Sequence, residues 1–112
     1  MALASHDRQA SLTIGTRGSE LALAQTSEVS RLLQARHSNL SIESRVIRTT
    51  GDRVLGAPLA KIGGKGLFTK ELEDALLDWQ IDAAVHSLKD VPTKMPAGLT
   101  LAAVLVREDP RD

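Results

Sequence analysis

The sequence contains no cysteine, and this absence excludes several classes of functional site. Without a thiol the chain has no disulfide framework, no thiolate metal site and no cysteine nucleophile. The three histidines, His6, His37 and His86, have neither metal-ligand spacing nor cysteine partners. The sequence therefore predicts no metal site.

Aromatic residues and long apolar runs are also scarce. Phe68 and Trp79 are the only aromatic side chains, too few to stack bases as single-strand nucleic-acid binders do. No apolar run approaches the ~18 residues that a membrane-spanning helix needs, and the N-terminus does not resemble an export signal. Basic and acidic residues balance at 14 each, so no global field attracts nucleic acid or an anionic membrane. We predict a cytoplasmic protein with neither partner.

What is present is an alternation of strand and helix patterns within 112 residues, enough for one domain. After a flexible tail at 1–10, strands are predicted at 11–16, 41–48, 81–87 and 99–106, with helices from Ser19 to about Arg36 and from Phe68 to Trp79. Residues 49–66 contain five glycines and predict a mobile loop. The order β-α-β-α-β-β predicts an α/β domain with a mostly parallel sheet flanked by helices.

Helical spacing also predicts which side chains are buried. The apolar face of the first helix is predicted to carry Leu21, Ala22, Gln25, Val29, Leu32 and Leu33, with Gln25 a core residue bonded to backbone. Ser19 is the predicted N-cap of this helix. Phe68 and Trp79 share the apolar stripe of the second helix and are predicted core residues, although Phe68 lies near enough to the helix start to reach a site.

The segment AAVHSLKDVPT, residues 83–93, leads from a predicted buried strand into a cluster of ionisable side chains. Ligands of open α/β sheets bind beyond the carboxyl ends of strands, where this cluster falls. Lys89 can hold a substrate carboxylate there, and Asp90 can transfer or stabilise a proton. The alternative is a solvated loop pair of little energetic value. His86 is interpreted as a structural histidine.

The segment GTRGSE, residues 15–20, is a second candidate because it also joins a strand to a helix. Free N–H groups at a helix start attract anions, and Arg17 beside them makes better sense if a carboxylate or phosphate lies between. The alternative is an exposed arginine beside an ordinary Ser19 cap.

The segment KIGGKG, residues 61–66, invites a phosphate-loop interpretation and does not fit it. That pattern requires glycine at position 59 and serine or threonine at 66, whereas the chain has Leu59 and Gly66. Two interpretations remain, an anion-binding mobile lid and a plain flexible loop.

Five segments occur in order: IGTRGSELALAQT, TTGD, PLAKIGGKGLFTKELEDALL, DAAVHSLKDVPT and REDPRD. Together they resemble the N-terminal part of the porphobilinogen deaminase family, also called hydroxymethylbilane synthases, over about residues 12–112. The resemblance implies a three-domain enzyme of tetrapyrrole synthesis whose first two domains are similar to the type II periplasmic-binding-protein fold. Residues 11–112 would form most of domain one, an incomplete unit, with domains two and three absent from this chain.

The resemblance also implies the chemistry. Members of the family join four porphobilinogen units head to tail and release ammonia at each step, on a dipyrromethane cofactor attached to a cysteine of domain three. The full-length enzyme would act as a monomer, and its attachment cysteine is missing here. By motif, Asp90 would be the catalytic carboxylate. Substrate and cofactor would be held by Arg17, Ser19, Lys65, Ser87 and Lys89, and the active-site loop would include Gly63, Gly64, Lys65, Gly66 and Phe68.

The sequence leaves two other functions open. One is a stand-alone carboxylate-binding module that resembles half of a periplasmic binding protein. The other is a fragment without activity of its own.

Overall fold

The computed structural model describes residues 10–53, 68–87, 90–91 and 94–105. Along this part of the chain the elements are strand β1 (Ala10–Thr16), helix α1 (Glu20–Arg36), strand β2 (Leu40–Val46), helix α2 (Thr50–Arg53), helix α3 (Lys70–Leu77) and strand β3 (Ala83–Ala84). The three strands form one parallel sheet and helices pack on it. The predicted α/β class with a parallel sheet is therefore confirmed.

The sheet has the strand order β2-β1-β3, so β1 is central. β1 pairs with β2 along its whole length, from Ala10 opposite Leu40 to Thr16 opposite Val46. Its pairing with β3 covers only Ile14 and Gly15. Because parallel strands point the same way, the segments that follow β1 and β3 leave the sheet at the same edge.

The core lies where α3 crosses the centre of the sheet. Leu72 and Ile81 are almost completely buried and pack with Ala75, and Ile14 of β1 is fully buried as well. Gly15 lies beneath them, and a β-carbon there would overlap the Ile81 side chain. Each large side chain buried in this way contributes about 1.5–3 kcal/mol, so α3 fixes the position of β3.

Helix α1 begins as predicted, since the Ser19 hydroxyl accepts a hydrogen bond from the Ala22 N–H at 3.2 Å. The prediction of its apolar face is wrong in part, because the buried residues of the helix are Ala22 and Thr26. Leu21 and Leu32 are exposed. Among the described strands the helix packs mainly on β1 and β2, so a narrow strip of its surface meets the sheet.

The prediction of a core position for Trp79 is wrong. Helix α3 ends at Leu77, and the backbone turns there with a left-handed φ of 59° at Trp79. Helical spacing no longer applies past the helix end, and Trp79 is 85% exposed. No helix in the described ranges is long and apolar enough to cross a membrane.

The predicted strand at 99–106 is also wrong over its described part. Residues 99–105 pair with none of the three described strands, and Leu101, Val104 and Leu105 are exposed. A strand needs a neighbour to accept its backbone hydrogen bonds, and apolar composition alone does not supply one. The predicted strand at 81–87 shortens to the paired residues of β3 for the same reason, and β2 ends at Val46 rather than at 48.

Part of the predicted loop at 49–66 is the short helix α2. Residues 54–66 of the predicted mobile loop, which include the possible lid at 61–66, lie outside the described residues. So do residues 1–9 of the predicted tail, whereas Ala10 already belongs to β1.

Candidate functional site

A small cavity of about 50 Å³ lies where β1 and β3 end. Four predicted site residues line it: Arg17, Ser19, Ser87 and Asp90. Gln25 and His86 line it as well. The structure thus brings together segments that are far apart in the sequence, at the sheet edge where ligands of α/β domains bind.

A buried threonine holds the turn that carries Arg17. Thr16, the last residue of β1, is fully buried, and its hydroxyl donates to the carbonyl of Arg17 at 2.9 Å. The same hydroxyl lies 3.4 Å from the carbonyl of Ala22 in α1. With Ser19 capping the helix, the turn is tied to both the strand and the helix, and the start of the Arg17 side chain is fixed.

The Arg17 side chain is enclosed on three sides. Its Nη2 and Nε donate to the Asp52 carboxylate, at 2.6 Å and 3.1 Å from Oδ1. The Phe68 ring covers one face of the guanidinium, with its centroid 4.2 Å from Cζ. Nη1 lies 3.7 Å from the Asp90 carboxylate. The side chains of Arg17, Asp52 and Asp90 are 18%, 17% and 16% exposed, so this cluster is mostly shielded from solvent.

Asp52 is itself held by Thr49 in a capping box at the start of α2. The Asp52 carboxylate accepts hydrogen bonds from the Thr49 N–H at 3.2 Å and the Thr49 hydroxyl at 2.8 Å, while Thr49 Oγ1 accepts from the Asp52 N–H. Burial raises the pKa of Asp52, but the hydrogen bonds from Arg17 and Thr49 outweigh it, so the pKa lies below its ordinary value. Asp52 is therefore ionised at neutral pH.

A second carboxylate ties α2 to α3. Glu71 accepts from the Thr50 hydroxyl at 2.6 Å and from the Thr50 N–H at 3.2 Å. Burial raises the pKa of Glu71, and the hydrogen bonds from Thr50 lower it by more. These bonds join α2 to α3. Because Phe68 lies just before α3, they help to place the Phe68 ring over Arg17.

Gln25 corrects an expectation drawn from the sequence. Its Oε1 accepts a hydrogen bond from the Ser87 hydroxyl at 3.2 Å, so its partner is a side chain of the cavity rather than the backbone. The two residues are 62 positions apart, and the bond joins α1 to the segment after β3. Gln25 is half-buried in the cavity wall.

His86 is partly buried in the wall of the cavity. Its Nδ1 is buried, and no described residue bonds to it. Burial lowers the pKa of His86; the negative charge of Asp90 opposes this and the positive charge of Arg17 adds to it. The imidazole is therefore neutral at physiological pH. The interpretation of His86 as a structural residue stays a prediction.

Several predicted site residues lie outside the described residues: Gly63, Gly64, Lys65, Gly66 and Lys89. Two residues of the site were missed. Asp52 had a readable signal, because TTGD fits the capping-box pattern of threonine followed three positions later by an acid. Gln25 had none, because only the folded chain brings it to Ser87.

The described cavity offers donors for an anion and one carboxylate for a positive charge. Arg17, Ser19 and Ser87 carry N–H and O–H groups, and Asp90 lies beside them. The fold and the site define an α/β domain with a pocket of N–H and O–H donors at the carboxyl ends of parallel strands.

The comparisons with known proteins go further. The family model described as "Porphobilinogen deaminase, dipyromethane cofactor binding domain" matches residues 12–112. The chain belongs to the porphobilinogen deaminase family. It is 57% identical over 101 residues to the porphobilinogen deaminase of Syntrophomonas wolfei, and 58% identical over 105 residues to the chloroplastic porphobilinogen deaminase of Oryza sativa subsp. japonica.

These matches cover 90% of this chain, but only 33% of the Syntrophomonas protein and 29% of the rice protein. The chain thus spans about a third of the length of the curated relatives that it matches.

Proposed function

We propose that this chain supplies the first part of a porphobilinogen deaminase active site, in an enzyme that condenses four porphobilinogen units to hydroxymethylbilane and releases ammonia. One observation carries the proposal. Arg17, Ser19, Ser87 and Asp90, which come from three separate segments, line one cavity beyond the carboxyl ends of β1 and β3. The family to which the chain belongs supports the same function.

The donor set fits a substrate that carries carboxylates. The Nη1 edge of Arg17 and the hydroxyl of Ser19 would hold acetate and propionate groups, as would the Ser87 hydroxyl once it turns from Gln25, with Lys89 and Lys65 as further cations. The active-site loop would include Gly63, Gly64, Gly66 and Phe68. Each of these roles is a hypothesis that follows from the family motif.

Asp90 would act at the reacting centre. Loss of ammonia from porphobilinogen leaves a positive charge that spreads onto the pyrrole nitrogen, and a fixed carboxylate stabilises such a charge as it develops. The side chain of Asp90 is 16% exposed, so water screens its charge less than at an open surface.

Dipyrromethane fits the same donors through its own carboxylates, and when bound it supplies the pyrrole to which substrate is added. The chain contains no cysteine, so covalent attachment of this group would need a residue outside it. The residues of this chain would bind and orient the group rather than anchor it.

The architecture of the whole enzyme is also a proposal. Residues 11–112 would form most of the first of three domains, with a type II periplasmic-binding-protein-like fold. The parallel sheet with its site at the carboxyl ends supports this. We further propose a monomeric enzyme located in the cytoplasm; the rice relative is named as chloroplastic.

A hybrid protein tests the proposal. Residues 12–112 replace the matching segment of the Syntrophomonas relative, which keeps its remaining length of about two thirds. We expect the purified hybrid to consume porphobilinogen and to form hydroxymethylbilane. A folded hybrid without turnover, beside an active Syntrophomonas parent, would contradict the proposal.

Binding without turnover is the second candidate function, for the 112-residue chain alone. It is favoured by a cavity that has anion donors in a chain that has no cysteine. Calorimetric titration with porphobilinogen would show binding, and the absence of ammonia release would separate it from catalysis.

A further inference from the structure

The site contains one cation between two anions. Arg17 contacts Asp52 at 2.6 Å and Asp90 at 3.7 Å, and both carboxylates are mostly shielded from solvent. Ion pairing weakens with distance, so the charge of Arg17 is balanced mainly by Asp52. At 3.7 Å the Asp90 carboxylate is too far from Nη1 for a hydrogen bond, so it is held less tightly by this arginine than Asp52 is.

The guanidinium is fixed in orientation as well as in position. It has five N–H donors in a rigid planar fork. The donor on Nε and one donor on Nη2 point to Asp52. The Phe68 ring limits movement out of the plane. The Nη1 edge remains, and it faces Asp90 across the cavity.

Asp52 is suited to impose this orientation because it cannot easily move. Thr49 holds its carboxylate with two hydrogen bonds, and Thr49 is fully buried. A surface aspartate without such partners would lose side-chain entropy on pairing with arginine. Here that entropy is already lost when the capping box forms.

We propose that Asp52 is a positioning residue, which keeps the Arg17 guanidinium turned with its Nη1 edge toward the cavity and keeps it from closing on Asp90. Without the charge at position 52, the guanidinium moves the short distance to Asp90 and forms a neutral pair with it. The carboxylate then has less charge to offer a developing cation, and the Nη1 donors no longer face a bound carboxylate.

The geometric part of this proposal is tested by NMR on the 112-residue chain. The stacked Phe68 ring shifts the Arg17 Hε signal upfield, and Phe68→Leu identifies that shift by removing it. We expect Asp52→Asn to remove the shift as well, while Asp52→Glu, which keeps the charge, retains part of it. Asp78→Asn is the matched control, because it removes one exposed carboxylate at the end of α3 and leaves the shift unchanged.

An unchanged Arg17 Hε signal in folded Asp52→Asn overturns the proposal. The methyl signals of Ile14, Leu72 and Ile81 report the core and show whether a variant is folded. If Asp52→Asn does not fold, the Asp52→Glu variant tests the proposal instead. The longer glutamate side chain should place the guanidinium less well, so an Arg17 Hε shift equal to that of the parent would contradict the proposal.

The kinetic part rests on the proposed function and uses the hybrid deaminase. We expect Asp52→Asn to lower the saturated rate at least ~10-fold, since Asp90 stabilises the developing cation less, and also to raise KM, since the Nη1 donors turn away from a bound carboxylate. Asp52→Glu should recover part of the rate. A saturated rate within about 2-fold of the parent, or an increase in KM alone, contradicts the positioning role. A parent hybrid without turnover contradicts the proposed function instead, and the NMR result then decides the position of Arg17.

Discussion

The backbone of Gly51 lies directly against the ring of Phe68. A β-carbon at position 51 would overlap three atoms of that ring, so only glycine allows α2 and the segment before α3 to approach so closely. Gly51 is buried, and Phe68 covers the guanidinium of Arg17. A residue with no side chain thus decides where an aromatic ring of the candidate site lies.

The first prediction concerns this contact. Gly51→Ala should lower the free energy of unfolding by about 1–3 kcal/mol, because the added methyl group forces the ring away. Urea unfolding followed by circular dichroism measures the change. Gly18→Ala is the control, since among the described residues its β-carbon meets the exposed side chain of Val46 alone, and we expect a change of no more than about 0.5 kcal/mol there. Equal losses in the two variants would show that the ring contact is unimportant.

The second prediction concerns Trp79, whose φ of 59° is unfavourable for any residue with a β-carbon. Trp79→Gly should raise the free energy of unfolding by about 0.5–1 kcal/mol, because glycine adopts this conformation freely and the exposed ring loses little burial. Asp78→Gly, at a neighbouring φ of −87°, should be destabilising by up to about 1 kcal/mol. Thermal melts of both variants check the opposite signs, and a destabilised Trp79→Gly would mean that the indole makes contacts that offset its strain.

The third prediction concerns pH and His86. Burial lowers the pKa of His86 below its ordinary value of 6.5, so the unfolded chain takes up a proton before the folded chain does. The contribution to stability is therefore complete above about pH 6.5 and is lost as the pH falls through the lower folded pKa. We expect His86→Gln to flatten the dependence of unfolding free energy on pH just below 6.5, with His37→Gln as the exposed control. An unchanged slope in His86→Gln would assign the effect to other groups.

Asp52 and Glu71 make the free energy of unfolding depend on pH under more acidic conditions as well. Their pKa values lie below the ordinary 3.8 and 4.5, so their stabilisation is present above those values and is lost as the pH falls through the folded pKa values. Glu71→Gln should remove part of this acid-dependent loss. Urea titrations from neutral pH down to about pH 3 measure it, and a parental acid profile in Glu71→Gln would contradict the role of the Thr50 bonds.

The fourth prediction concerns Asp90 in the hybrid deaminase. Asp90→Asn keeps the size of the side chain and removes its charge, so the chemical step should slow at least ~100-fold while the fold survives. Lys89→Met should instead weaken the binding of substrate. Single-turnover kinetics at varied porphobilinogen concentration separates the two effects. If Asp90→Asn changed only the apparent affinity, the catalytic role proposed for Asp90 would be wrong.

Local patterns in the sequence were sufficient for the elements that depend on near neighbours. β1 and α1 lie where alternation, helical spacing and the Ser19 cap predict them, because such signals act within a few residues. The strand order was not readable, yet the alternation of elements correctly predicted parallel pairing. The positions of Arg17 and of the segment that carries Asp90 beyond strand ends were also predicted, whereas their contact is seen only in the structure.

The tertiary structure alone decided which residues have partners. The apolar residues 99–105 looked like a covered strand and lie unpaired, because burial depends on a neighbouring strand that no local pattern guarantees. Gln25 was predicted to be a core residue, but it accepts a hydrogen bond from Ser87. Asp52 accepts a hydrogen bond from Arg17, which is 35 positions away. The sequence by itself determined the residue types of the site and the end of β1, which leads into Arg17. Hydrogen bonds and ion pairs between distant residues require the closed fold, which sets their distances, and therefore only the structure shows how the charge of Arg17 is shared between two carboxylates.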